Sequence, residues 1–143
     1  MKYIITVVIC FLDQLSKFFI GKLIVRGDSV PIVKNIFHVT LVHNTGAAFG
    51  IFKSYPHLFI VIAFLAVGFI LYHLRKAHTI SILERTAFCF ILGGIFGNLI
   101  DRIRFGYVVD FIDFRIWPVF NVADSFITMG AIMLLWLILE RKR

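Results

Sequence analysis

The chain has 143 residues, about one domain's length, and 60% of them are A, V, I, L, M, F, W, Y or C while D, E, K and R supply only 16%. A water-facing shell on so small a protein needs more polar residues than that, so a soluble globule is excluded, as are disorder and collagen-like repeats, and a bilayer is the natural solvent. The formal charge of +7 fits basic loop ends meeting anionic lipid, and no basic run interleaved with aromatics points to nucleic acid.

Taken in order, the opening MKYIITVVICFL resembles a signal peptide, but no small-residue cleavage site follows, which predicts a retained span over residues 3–23 that carries Asp13 and Lys17. Ile9 in front of Cys10 argues against lipid attachment there. Cys10 and Cys89 both lie in apolar stretches and are expected as buried free thiols. The segment 28–53 contains VPIVKNIFHVTLV, rich in β-branched and aromatic residues, which predicts one or two short strands at the membrane surface; an irregular loop on the headgroups is the alternative. In NTGAAFG, residues 44–50, glycines and alanines let backbone pass close to a neighbouring strand or an extended ligand.

A second span is expected over 57–75, with Leu58–Leu74 free of charge, and a third over 80–101 with Glu84 and Arg85 near its start. GGIFG at 93–97 spaces small residues four apart, a close-packing signal between membrane helices. A connection follows, and a fourth span over 120–139 contains Asp124. The expected fold is an all-α membrane protein: one domain, 1–143, of four transmembrane helices with a small β-rich segment between helices 1 and 2. Four spans leave no room for a soluble domain. An even number of spans puts both termini on one side; seven Lys+Arg fall on each side, so charge leaves the orientation open, with the denser basic packing around 75–85 and in the tail favouring cytoplasmic termini.

Threading the helices up and down gathers Asp13, Asp28, Asp101, Asp110, Asp113 and Asp124 at one leaflet, where carboxylates are expensive and tend to be functional. Asp13 and Lys17 are four apart, the order that favours an ion pair; they either hold helix 1 in register or belong to a site. Asn98 and Asp101 share a helix face, as do Asn121 and Asp124, and the second pair also suits an N-cap followed by a first-turn acid. Arg102 and Arg104 are expected to anchor the helix end or balance charge. No G-x-S-x-G occurs, the five histidines are scattered, and no metal site or cofactor is expected. What remains is carboxylates at the edge of a low-dielectric layer: two brought close share one proton and can activate a water, an aspartic peptidase mechanism.

Five motifs in order then resemble lipoprotein signal peptidase, or signal peptidase II: DQLSK at 13–17, NTGAAFG at 44–50, GGIFGNLIDR at 93–102, GYVVDFIDF at 106–114 and WPVFNVADS at 117–125. The resemblance implies a bacterial inner-membrane endopeptidase with cytoplasmic termini and an extracytoplasmic β-rich cradle. Such enzymes remove the signal peptide from prolipoproteins before a diacylglyceryl-modified cysteine, and globomycin-type antibiotics inhibit them. Motif by motif it implies Asp110 and Asp124 as the catalytic pair, and Asp13, Lys17, Asn44, Gly46, Asn98, Asp101, Arg102, Asn121 and Ala123 as residues that bind substrate or brace the site. Thirteen residues separate Asp110 from Asp124, fewer than in the family's pattern, so a tighter loop is expected. Asp113, a helical turn or less from Asp110, is the rival carboxylate; Asp101 is the other, kept ionised by Arg102. A proton-coupled transporter and a noncatalytic lipoprotein-binding scaffold are the competing functions, separable by proton flux and by binding without cleavage.

Overall fold

The computed structural model describes residues 3–46, 56–76 and 80–141. The end of the expected β-rich segment, 47–53, lies outside the described residues, and with it the second half of NTGAAFG. Chain order is α1 (Ile4–Leu23), β1 (Ser29–Val33), β2 (Phe37–Asn44), α2 (Pro56–Lys76), α3 (Ile82–Phe105), β3 (Val108–Asp113) and α4 (Val122–Glu140). All four helices are long and apolar enough to cross a membrane.

Burial is inverted relative to a soluble protein. Phe11, Leu65 and Trp136 are each more than 60% exposed, while Asp13, Asp101, Asp110 and Asn121 are at most 2% exposed. Large apolar side chains therefore face outward to lipid and the polar residues face the bundle interior. Helix α3 is the central element and packs against each of the other three. Its small residues make this possible. A Cβ on Gly93 would come within 2.7 Å of the Ile9 side chain, one on Gly94 would collide with the carbonyl of Ala123, and one on Gly97 would collide with the Asp13 carboxylate. The GGIFG segment thus lets α1 and the start of α4 reach the α3 backbone, as its spacing predicts.

Ser81 caps α3 by accepting from the Glu84 amide at 3.1 Å, and the helix runs past the expected end at 101 to Phe105, where Gly106 (φ +77°) turns the chain back. Two residues later the chain enters β3. The segment 28–53 supplies the two strands expected of it, and the third comes from the connection after α3. The sheet order is β1-β2-β3, antiparallel throughout. Between Val39 and Val42 the β2–β3 register shifts by one residue, so Thr40 and Leu41 oppose Phe111 alone. This bulge puts Thr40 on one face of the sheet and Val42 and Asn44 on the other.

The link from β3 to α4 is eight residues, 114–121. Phe120 returns to pair with Ile112, through amide–carbonyl bonds of 2.7 and 3.1 Å, and Asn121 then starts α4. The two thiols are free. Cys89 is buried as expected, but Cys10 is only partly so, because the seam of α1 and α3 beside it is open to the outside.

Gly94→Leu should destabilise the protein by about 1–3 kcal/mol or more, since backbone blocks the added side chain, whereas Gly68→Leu, where an added Cβ meets nothing within 4 Å, should leave the thermal unfolding midpoint in detergent unchanged. Equal midpoints for the two variants would contradict the packing described.

Candidate active site

The polar interior is organised from Lys17. Its ammonium lies 2.7 Å from Asp13 Oδ2, 2.9 Å from Asp101 Oδ2 and 3.0 Å from Asn98 Oδ1, so its three N–H groups are all used. Lysine only donates, so Asn98 must turn its oxygen toward Lys17. Its amide nitrogen then faces the other way and donates to Asp124 Oδ1 at 2.8 Å. The same Asn98 oxygen also accepts from Asn121 Nδ2 at 3.0 Å, and that nitrogen donates to Asp110 Oδ1 at 2.7 Å. A second amide, Asn44 Nδ2, reaches Asp110 Oδ2 at 2.9 Å from the last residue of β2.

Asp124 is fixed by the start of its own helix. Asn121 is the N-cap, accepting from the Asp124 amide at 2.9 Å, while the Asp124 carboxylate accepts from the Asn121 amide at 3.3 Å. This reciprocal capping box is the cap that the NVAD spacing suggests, and it orients the acid as well as closing the helix end. Asp110 and Asp124 both line one cavity of about 450 Å³, together with Asn44, Gly46, Asn98 and Arg102. Neither carboxylate is paired with a cation among the described residues: their partners are amides. Burial, and then the charge of Asp124, push the Asp110 pKa up to about 7.

Asp113 is not a competitor for this position. Asp110 and Asp113 lie on a strand, not on the helical turn considered from sequence, and three residues along a strand reverse the facing. Asp113 accepts from Thr40 Oγ1 at 2.7 Å, from the Arg115 amide at 2.8 Å and from Arg115 Nη1 at 3.1 Å. Partial burial raises its pKa, but these hydrogen bonds outweigh it and hold the carboxylate below its ordinary range. Asp101 is likewise outside the cavity. Its cation is Lys17 and not the adjacent Arg102, whose guanidinium instead lies 5.0 Å from the centre of the Phe59 ring and lines the cavity. Asp101 also accepts from the Val109 amide at 3.0 Å, which ties β3 to α3 just before Asp110.

Of the remaining expected residues, Asp13 and Lys17 sit behind the cavity wall; Lys17 joins α1 to α3 through Asp101 and Asn98, and Asn98 carries the contact on to Asp124 and Asn121. Ala123 is fully buried, its amide donating to Asp13 Oδ1 at 2.9 Å, so α1 also braces the first turn of α4. Gly46 donates its amide to Asn44 Oδ1 at 3.0 Å and so orients that side chain. Asp28 lies on the exposed rim.

Two contributors were not anticipated. Gln14 bonds Asp101 Oδ1 at 2.8 Å and the Gly97 carbonyl at 3.1 Å; its place between Asp13 and Lys17 was the available signal. One apolar wall of the cavity is α2, through Phe59, Ile62, Ala63 and Ala66. Two alanines three apart beside large residues mark that face, although the span is otherwise uniform.

Comparisons with known proteins place the chain in a family. The family model described as Signal peptidase (SPase) II matches residues 5–140. The lipoprotein signal peptidase of Halothermothrix orenii is 43% identical over 143 residues, covering 100% of this chain and 98% of that protein. The lipoprotein signal peptidase of Caldanaerobacter subterraneus subsp. tengcongensis is 46% identical over 140 residues, covering 97% and 96%. A solved bacterial membrane enzyme, determined by the in meso method, superimposes with a TM-score of 0.93 at 31% identity, covering 99% of this chain and 88% of that one. The four spans make the chain a multi-pass membrane protein, and by sequence and by fold it belongs to the signal peptidase II family of proteases.

Proposed function

We propose that the chain is an aspartic endopeptidase that removes the signal peptide from diacylglyceryl-modified prolipoproteins, with Asp110 and Asp124 as the catalytic pair. The observation that carries this reading is that a buried and a partly buried carboxylate share one cavity with amide hydrogen-bond partners and, among the described residues, no ion-paired cation. Without an ion pair, two such groups cannot both ionise cheaply, so the pair holds one proton near neutral pH. A water between them can lose a proton to the ionised carboxylate as its oxygen attacks the scissile carbonyl, while the neutral carboxyl gives its proton to the carbonyl oxygen. The carboxyl that took the water's proton then gives it to the leaving nitrogen as the C–N bond breaks, while a hydroxyl of the tetrahedral diol returns its proton to the other carboxylate, which restores the singly protonated pair.

The surroundings suit such a substrate. The Phe59, Ile62, Ala63 and Ala66 face of α2 continues the cavity down into the bilayer level, where an apolar signal sequence or an acyl chain would lie without being desolvated. Arg102 supplies a positive charge at the cavity edge that can polarise a peptide carbonyl, and Asn44 at the end of β2 can pair with an extended chain. In this reading both termini are cytoplasmic in a bacterial inner membrane, the site opens toward the extracytoplasmic face, membrane lipid flanks it, and globomycin-type inhibitors compete for it.

Incubation of the purified protein with a diacylglyceryl-modified precursor should release the signal peptide. Asp110→Asn and Asp124→Asn should each lower the rate by about 10²–10⁴-fold or more while the chain still folds, with a lowered unfolding midpoint, because Asn keeps the size and one of the two acceptor oxygens. Asp113→Asn should leave cleavage at a similar rate. Loss of activity with Asp113→Asn and normal turnover with Asp110→Asn would reassign the pair.

The pH profile of kcat/KM should be bell-shaped. The alkaline limb falls as the shared proton leaves near the Asp110 value of about 7, and the acid limb falls as the second carboxylate takes up a proton. An activity that keeps rising well above neutral pH would refute the shared proton.

A further inference from the structure

On the side of the bundle away from the active cavity, α1 and α3 leave an open seam that holds two adjoining cavities, about 600 Å³ and about 400 Å³, with Gln14 lining both. Neither shares a lining residue with the active cavity. On α1 the seam is lined by Val7, Phe11, Gln14, Phe18 and Lys22, and on α3 by Leu92, Phe96, Ile100 and Arg104. Steps of three and four residues keep each set on one helix face, so the two cavities form a single groove. The groove is apolar from the middle of the membrane outward and becomes basic where it reaches the sheet. Leu92 to Arg104 rises about 18 Å along α3, comparable with the roughly 15 Å of half a hydrocarbon core.

The basic end has a charge surplus. Lys17, Lys22 and Arg104 face it against Asp101 and, behind the wall, Asp13, both held by Lys17 at 2.9 and 2.7 Å, so three positive charges meet two negative ones. Among the described residues neither Lys22 nor Arg104 pairs with a carboxylate; each rests on a ring, Lys22 4.3 Å from the centre of Phe18 and Arg104 5.0 Å from that of Phe105. His43 and Tyr107 stack at 4.0 Å and close the pocket from the sheet side. A cationic pocket at headgroup depth, continuous with an apolar groove one leaflet long, has the two-part chemistry of a charged lipid.

We propose that the α1–α3 groove binds one anionic glycerophospholipid of the leaflet that carries the sheet, with its acidic headgroup between Lys22 and Arg104 and an acyl chain along the seam past Gln14 to Leu92. The bound lipid fills the gap between α1 and α3 beside the Lys17 ion pairs, so it is a structural ligand and not a substrate.

Native mass spectrometry of the full chain, titrated in neutral detergent with phosphatidylglycerol, phosphatidylcholine or inorganic phosphate, tests this directly. One phosphatidylglycerol should bind, roughly tenfold or more tighter than phosphatidylcholine, and inorganic phosphate should not displace it. The Lys22→Gln/Arg104→Gln double variant should lose that preference. Gly21→Phe should block binding without harming the fold, because Gly21 lines the basic cavity and a Cβ there meets nothing within 4 Å. Lys34→Gln, in the β1–β2 turn, should bind as the unaltered protein does. Unchanged phosphatidylglycerol binding in both groove variants, equal binding of phosphatidylcholine, or displacement by inorganic phosphate would overturn the proposal.

Discussion

A lysine ammonium taken out of water in a membrane protein is tolerable only with its charge balanced and its N–H groups all occupied, and in this protein that requirement falls on Lys17. Asp13 and Asp101 supply the charge and Asn98 the third acceptor. Removing one partner of such a buried pair typically costs about 3–5 kcal/mol. Because the partners come from α1 and α3, the same requirement fixes how these helices meet. It also has a direction. Lysine cannot accept, so the amides of Asn98 and Asn121 are oriented in series, and their nitrogens end on Asp124 and Asp110. The positive charge stops at the first amide, and the two acids receive hydrogen bonds without an ion pair.

That separation distinguishes the cavity from the other buried acids. Asp101 has Lys17, Asp113 has Arg115, and Glu84 at the far end of the bundle has His73 and Arg141. Each is a carboxylate held by a cation and available for structure. Asp110 and Asp124 are left to each other across the cavity. Their burial is supplied by different means, one by a strand on an α3-anchored turn and the other by the first turn of a helix, so a folding event is needed to bring them into one space.

Much of this was legible in the sequence, and the reasons for the rest are physical. The spans follow from apolar runs that no soluble domain of this size carries, and the DQLSK spacing predicts the first-helix ion pair from helical geometry alone. GGIFG and NVAD state their roles locally, as a close contact and as a cap. VVDFID did not declare itself a strand because it is covered on both faces, which removes the alternation that marks a half-buried strand. With the strand unseen, Asp110 and Asp113 stood as equals. The partner of Asp101 was hidden for another reason: its sequence neighbour Arg102 is one helical step away and points elsewhere, while Lys17 is brought in from α1 by tertiary packing. The cavity wall on α2 was equally silent, since a lipid-facing and a cavity-facing apolar residue look alike in a uniform run.

The register shift in β2 has an outsized influence on which acids the sheet can serve. With the extra residue, Thr40 meets Asp113 on one side and Asn44 meets Asp110 on the other. A one-residue slip of β2 past the bulge, at constant length, would let the strands zip up evenly. Asn44 would then be carried to the face opposite Asp110, and Asp110 would lose one of its two amide donors. Register alone, with no change of sequence, would thus yield a chain that inserts and folds yet is misassembled at the proposed catalytic pair.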